Sequence, residues 1–202
     1  MATVILQLLV FATYTAVAAT TKSPMSPAQS SDISFLRRSC GITRRPDTCY
    51  NLLLPNVSSF HGSLARVARE ATTIAAAKQH RFGEDLTHLK LQGTGAGRVA
   101  DMTVVSCYDM VSSSDKYANK TLGHLNNLVS GVKNKRDFSS EKHEAINWIG
   151  VAGSGMMMCE DWFNAAGEEA LSKKTVTKVV ASCNDVSTYL EIAIYLVTAL
   201  KF

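Results

Sequence analysis

The chain has 202 residues, with 21 Lys and Arg against 17 Asp and Glu, a formal net charge of +4, and five cysteines. That length supports one domain with a substantial core. The basic residues are dispersed and form no long run, which argues against a nucleic-acid partner.

Residues 1–19, MATVILQLLVFATYTAVAA, carry no charged side chain and are mostly apolar from Val4 to Ala18. The run is short for a bilayer span and ends in Ala16-Val17-Ala18, which fits an A-x-A cleavage site. It is read as a secretory signal whose positive charge is the α-amino group. No other stretch approaches about 18 uninterrupted apolar residues, so the mature protein, about 183 residues long, is expected to be soluble, with no membrane contact after signal removal. Residues 20–31, TTKSPMSPAQSS, are rich in Ser, Thr and Pro and are expected to be a flexible tail.

Export gives the cysteines a meaning. Cys40 and Cys49 stand nine positions apart with Pro46 between them. A bridge there would close a small loop worth roughly 3 kcal/mol in chain entropy. Pro46 fixes its own φ and pushes Arg45 out of helical geometry, which lets the chain turn back. An odd cysteine count leaves one thiol over. No C-x-x-C occurs, and His61, His80, His88, His124 and His143 lack ligand spacing, so no metal or cofactor is expected.

From Asp32 onward the helical signal dominates. Asp32 can cap a short helix through Arg38, and a second short helix follows Pro46 and ends near Pro55. Ser63 then caps a long helix in which Leu64, Val67, Ala68, Ala71, Ile74 and Ala75 repeat at three-four spacing. Residues 83–97 break that pattern. Gly93, Gly95 and Gly97 lack both a leading strand and a following Gly-Lys-Ser/Thr, which points to an interhelical loop rather than a phosphate loop.

A second long helix is expected from Arg98 to about Ser130, its inward row using Val104, Cys107, Met110 or Val111, Ser114, Ala118, Leu122 and Leu125. Gly131 and the KNKRD segment interrupt the chain. A third helix is expected from about Ser139 to Phe163, using Ala145, Trp148, Ile149, Ala152, Met156 and Cys159. Gly153 and Gly155 cost that helix about 1 kcal/mol each relative to Ala. The last helix, from Thr175, carries a broad apolar stripe through Val176, Val179, Val180, Cys183, Val186, Leu190, Ala193, Ile194 and Val197. The expected fold is all-α: an up-down-up-down four-helix bundle over residues 61–202, preceded by a short-helix hairpin at 32–60 and stapled by disulfides. Cys107 and Cys159 fall on inward faces of separate helices where a bridge can staple the bundle. Cys183 reads as a buried free thiol, although spacing leaves 107–183 and 159–183 pairing open.

These residues resemble the plant invertase and pectin methylesterase inhibitors. The family pattern of a Cys, a Thr three residues on, a Pro-Asp and a second Cys matches Cys40, Thr43, Pro46-Asp47 and Cys49. A Trp followed by Cys-x-Asp-x-Phe matches Trp148 and Cys159-Glu160-Asp161-Trp162-Phe163. The resemblance covers nearly the whole mature chain. It implies bridges 40–49 and 107–159 with Cys183 free, secretion to the apoplast or cell wall, and no catalytic activity. Arg45 stands where the family usually has an aromatic.

Within that family the reading favours an inhibitor of pectin methylesterase. Such an inhibitor uses mainly its second to fourth bundle helices to cover the enzyme's cleft in a 1:1 complex. An inhibitor of cell-wall or vacuolar acid invertase is the alternative. The Pro-Lys-Phe of that branch is replaced here by Lys135-Arg136-Asp137-Phe138, without the proline. Candidate contact residues are Asp109, Ser112, Ser113 and Lys116 on the second helix and Glu160 on the third. Sequons place candidate glycans at Asn56 and Asn119. No G-x-S-x-G elbow, paired-carboxylate site or Cys/His nucleophile arrangement supports an enzyme.

Overall fold

The computed structural model describes residues 27–202; the expected signal at 1–19 and residues 20–26 of the expected tail lie outside them. Helix α1 (Pro27–Cys40) turns back into α2 (Pro46–Leu53), which runs on into a 3-10 turn over Leu54–Ser59. The turn is built by its own polar groups. The Gly41 N–H donates to the Arg37 carbonyl, and both the amide and the hydroxyl of buried Thr43 donate to the Cys40 carbonyl, at 3.0 and 2.8 Å. Carbonyls orphaned at the end of α1 are thereby satisfied. Pro46 opens α2 with its φ already set, and the Cys40–Cys49 disulfide closes the hairpin. Leu36, Leu53, Val57 and Phe60 are buried, each contributing roughly 1.5–3 kcal/mol.

The bundle comprises α3 (Leu64–Gln92), α4 (Arg98–Asp115) continued by α5 (Ala118–Ser130), α6 (Lys135–Ala165), the single-turn α7 (Glu168–Leu171) and α8 (Lys174–Thr198). Helix α3 packs on α4, α5 and α8, and α6 packs on α4, α5 and α8, so α3 and α6 stand at opposite corners. Ala68, Ala71, Ala75 and Ala76 line the buried side of α3 and permit close approach by its neighbours. Phe82, Leu86, Leu125, Ile149, Met156, Phe163, Leu190 and Leu196 fill the core. A second disulfide, Cys107–Cys159, joins α4 to α6, and Cys183 is buried and free. At the far end, Lys142 Nζ donates to the carbonyls of Thr198 and Leu200 at 2.6 and 2.9 Å, satisfying acceptors at the close of α8.

Several element boundaries differ from the sequence-based expectation, each for an identifiable reason. The end of the expected 20–31 tail is helical, because Pro27 suits a first turn and Ala28–Ser31 then continue into α1. Helix α3 runs through Gly83 instead of breaking there. A Cβ at Gly83 would lie 3.3 Å from Val111 Cγ1, so this glycine lets α4 approach closely. The stop comes at Gly93, whose φ of +77° suits a residue without Cβ. Helix α6 starts at Lys135, ahead of Ser139. Asn134 Oδ1 accepts the Asp137 amide at 2.9 Å, and Asn134 Nδ2 donates to the Asp137 carboxylate at 2.8 Å. The expected single helix 98–130 is broken at Lys116-Tyr117.

The two disulfides close loops of different length, with sequence separations of 9 and 52. Replacing Cys107 and Cys159 together with Ala is expected to lower unfolding free energy by about 4 kcal/mol, against roughly 3 kcal/mol for the Cys40/Cys49 pair. Urea titration of the two double variants checks the order.

Candidate functional site

Helices α4 and α6 run side by side along one face. Cys107–Cys159 binds them together, and α6 comes close at Gly155, where a Cβ would lie 3.9 Å from Met110 Cβ. Above this seam lies a groove walled by Met110, Ser113 and Tyr117 on one side and Ile194 on the other, with Gly150 and Ser154 of α6 in its lining. A second groove lies between α5 and α6, lined by Lys120, His124, Glu144 and Trp148. Tyr117, Asn147 and Val151 belong to both, so they form the ridge between the two hollows. Tyr117 is 57% exposed and Val151 62%. Exposed large apolar groups beside a concave surface mark an interaction site more than isolated ones do.

The glycine at 150 is informative. A Cβ there would meet nothing within 4 Å. A helix-interior glycine costs about 1 kcal/mol relative to Ala, and packing gives no reason for it. Its effect is to keep the outer surface of α6 low between Tyr117 and Ile194.

Polar contacts hold the walls in place. His124 Nδ1 meets Glu141 Oε2 at 2.6 Å, and Asn127 Nδ2 donates to Glu141 Oε1 at 3.1 Å, tying α5 to α6. Arg69 Nε donates to Asn126 Oδ1 at 2.6 Å, tying α3 to α5. His80 Nδ1 lies 2.9 Å from the Asp115 carboxylate at the end of α4, and its Nε2 lies 3.7 Å from Glu84. The hydrogen bond to Asp115, then the charges of Asp115 and Glu84, raise the His80 pKa above its ordinary 6.5. In the connection between α3 and α4, the Thr94 amide and hydroxyl both donate to Asp101 Oδ1 at 2.7 Å and lower that carboxyl's pKa. The Cys183 thiol is pushed up to about 12, chiefly by burial and secondarily by the charge of Glu160.

The expected contact residues are divided by this geometry. Ser113 lines the α4–α6 groove, and Asp109 is exposed one turn before it on the same side of α4. Ser112 faces the other way, into a hollow with His80 and Asp115 between α3 and α4. Lys116 is exposed at the α4–α5 break. Glu160 is half-buried, and its Oε1 accepts from Asn184 Nδ2 of α8 at 3.1 Å. Tyr117, Gly150 and Val151 were missed. Their signal was present: Tyr117 and Val151 are large apolar residues out of phase with the core stripes. Arg45 was noted as a departure, and its role is visible: Nε lies 3.4 Å from Glu191 Oε2 of α8, while Arg44 sits over the Tyr195 ring, docking the hairpin turn on the bundle. Among the described residues, no cluster of His, Cys, Asp and Glu could hold a metal ion, and no helix is long and apolar enough to cross a membrane.

A family model described as plant invertase/pectin methylesterase inhibitor matches residues 34–196. Pectinesterase inhibitor 10 of Arabidopsis thaliana is 24% identical over 136 residues, a match covering 66% of this chain and 42% of that protein. The chain thus spans less than half of that relative's length. Among solved structures, the crystal structure of mutant form A of a pectin methylesterase inhibitor from Arabidopsis shares the fold, with a TM-score of 0.57 at 16% identity, covering 80% of this chain and 94% of that one.

The raised His80 pKa sets a pH dependence of stability. Folding favours the protonated ring, so the pair's contribution is fully present below pH 6.5 and disappears as pH rises through the higher folded-state value. Thermal melts of His80→Gln are expected to show a lower Tm than the parent at pH 5 and a much smaller difference at pH 8.5.

Proposed function

This chain belongs to the plant invertase/pectin methylesterase inhibitor family, and from that premise we propose that it inhibits a pectin methylesterase by seating its α4–α6 face over the enzyme's substrate cleft. The family is one of inhibitors, not enzymes, and the chain works by occlusion rather than chemistry. The observation that carries the choice of face is the pair of hollows separated by exposed Tyr117 and Val151, with Gly150 keeping one of them open. A disulfide-tied helical surface loses little conformational entropy on docking, which favours a tight 1:1 complex. Ser113 and Asp109 supply polar rim contacts.

An invertase inhibitor would use the segment before the third bundle helix. Here Phe138 of Lys135-Arg136-Asp137-Phe138 is half-buried, with its ring edge-to-face on Phe202 at a centroid distance of 5.8 Å. A side chain so engaged is poorly placed to enter another protein's active site, and this favours the pectin methylesterase reading.

The protein acts outside the cell, in the apoplast or wall, after loss of residues 1–19. Asn56 and Asn119 are both exposed, and in this reading Asn56 is the one that carries a glycan. Asn56 lies in the hairpin, away from the proposed face, so its glycan leaves docking free. Asn119 lies two residues beyond Tyr117, so a glycan there crowds the partner.

Titration of the mature protein into a plant pectin methylesterase and, separately, an acid invertase tests the target: inhibition of the first alone is expected, and inhibition of the second alone reverses the assignment. Gly150→Leu tests the face. The new side chain projects into open space, so Tm is expected to hold or rise, while Kd for pectin methylesterase rises by roughly 10-fold or more. Unchanged affinity would move the docking surface elsewhere.

A further inference from the structure

At the α4–α5 break, polar groups from three helices converge in the core. The Ser114 carbonyl accepts the Tyr117 N–H at 3.0 Å, a tight turn that ends the regular helix, and also accepts the indole N–H of Trp148 from α6. Gln79 of α3 is fully buried, and its Nε2 donates to the Val111 carbonyl at 3.3 Å and to Ser114 Oγ at 2.6 Å. The Ser114 hydroxyl lies within bonding distance of the carbonyls of Met110 and Val111, at 3.2 and 3.0 Å. Carbonyls at the end of α4 are thus taken up by side chains from α3 and α6, and the chain is released from the helix at Lys116 and Tyr117.

Two features make this more than helix capping. Gln79 Oε1 is buried with no hydrogen-bond partner, an unfavourable state for a core amide. An apolar residue of similar size at position 79 would avoid it, so the amide is retained at a net disadvantage in at least one contact. The residue released by the break is Tyr117, which forms the ridge between the two grooves and is among the most exposed aromatics of the described chain. We infer that Trp148 and Gln79 are positioning residues: by holding the end of α4 they fix the break, and the break sets Tyr117 upright on the docking face. This rests on the reading of that face as the pectin methylesterase contact, and it adds that affinity is tuned by two buried side chains through the placement of Tyr117, Gln79 from within the core and Trp148 from the floor of the α5–α6 groove.

Trp148→Phe removes the indole N–H while keeping an aromatic ring in place. In the free full-length mature protein, amide hydrogen exchange at Tyr117 and Ala118 is expected to speed by about 10-fold or more, with α8 amides unchanged. Unchanged exchange at the break overturns the inference. In binding to pectin methylesterase, Trp148→Phe is expected to raise Kd about 10-fold in the parent but less than about 2-fold in a Tyr117→Ala background. Equal losses in both backgrounds overturn it, because a general loss of stability would act without Tyr117. If Trp148→Phe does not fold, Gln79→Met carries the same two measurements. If the parent protein binds no pectin methylesterase, the docking reading fails, and the exchange measurement alone decides whether Trp148 and Gln79 position Tyr117.

Discussion

The seam between α4 and α6 is the constraint on which the rest depends. Three kinds of contact hold it: a disulfide near its middle, packing of α6 at Gly155 against Met110, and an indole N–H that reaches across to a carbonyl. A covalent link alone would fix one point and leave rotation about it. The additional contacts, spaced along the helices, convert a tether into a fixed relative orientation. Because the exposed ridge and most of both hollows are made from these two helices and their continuation, with Ile194 of α8 closing one wall, the seam sets the shape offered to a partner.

The hairpin obeys a different logic. It has its own disulfide, its buried Leu36, Leu53, Val57 and Phe60 share one core with the bundle, and it meets the bundle through α3 and through the Arg44 and Arg45 contacts with Glu191 and Tyr195. Ion pairs this exposed contribute little individually and weaken with salt. The exposed pairs therefore orient the hairpin turn, while the shared apolar core holds the hairpin to the bundle.

Much of this was legible in sequence because the core follows helical periodicity. Ala145, Trp148, Ile149, Ala152, Met156 and Cys159 all prove buried on α6, and Val176, Val179, Cys183, Val186, Leu190, Ala193 and Val197 on α8, where Val180 and Ile194 of the same stripe are half-buried at its margin. What periodicity cannot carry is where a helix stops. Gly83 reads as a breaker and serves as a packing site. The stretch around Lys116-Tyr117 reads as the continuation of one helix and contains a break, because the groups that end α4 come from Gln79 and Trp148, far away in sequence. Asn134-x-x-Asp137 was a local signal for the start of α6 and was available. The face was harder still. Polar residues on α4 identify an outward side but not which neighbour each adjoins, so Ser112 and Ser113, adjacent in sequence, fall into different grooves.

The fifth cysteine brings a hazard that its burial removes. Disulfide interchange begins with attack by a thiolate, and a thiol whose pKa burial pushes up to about 12 stays protonated at neutral pH. The sulfur of Cys183 also lies inside the packed core, out of reach of other molecules. Scrambling of the two bridges is thus confined to the interval before α8 has seated. Once that helix is in place, the native connectivity is protected kinetically as well as by its own stability.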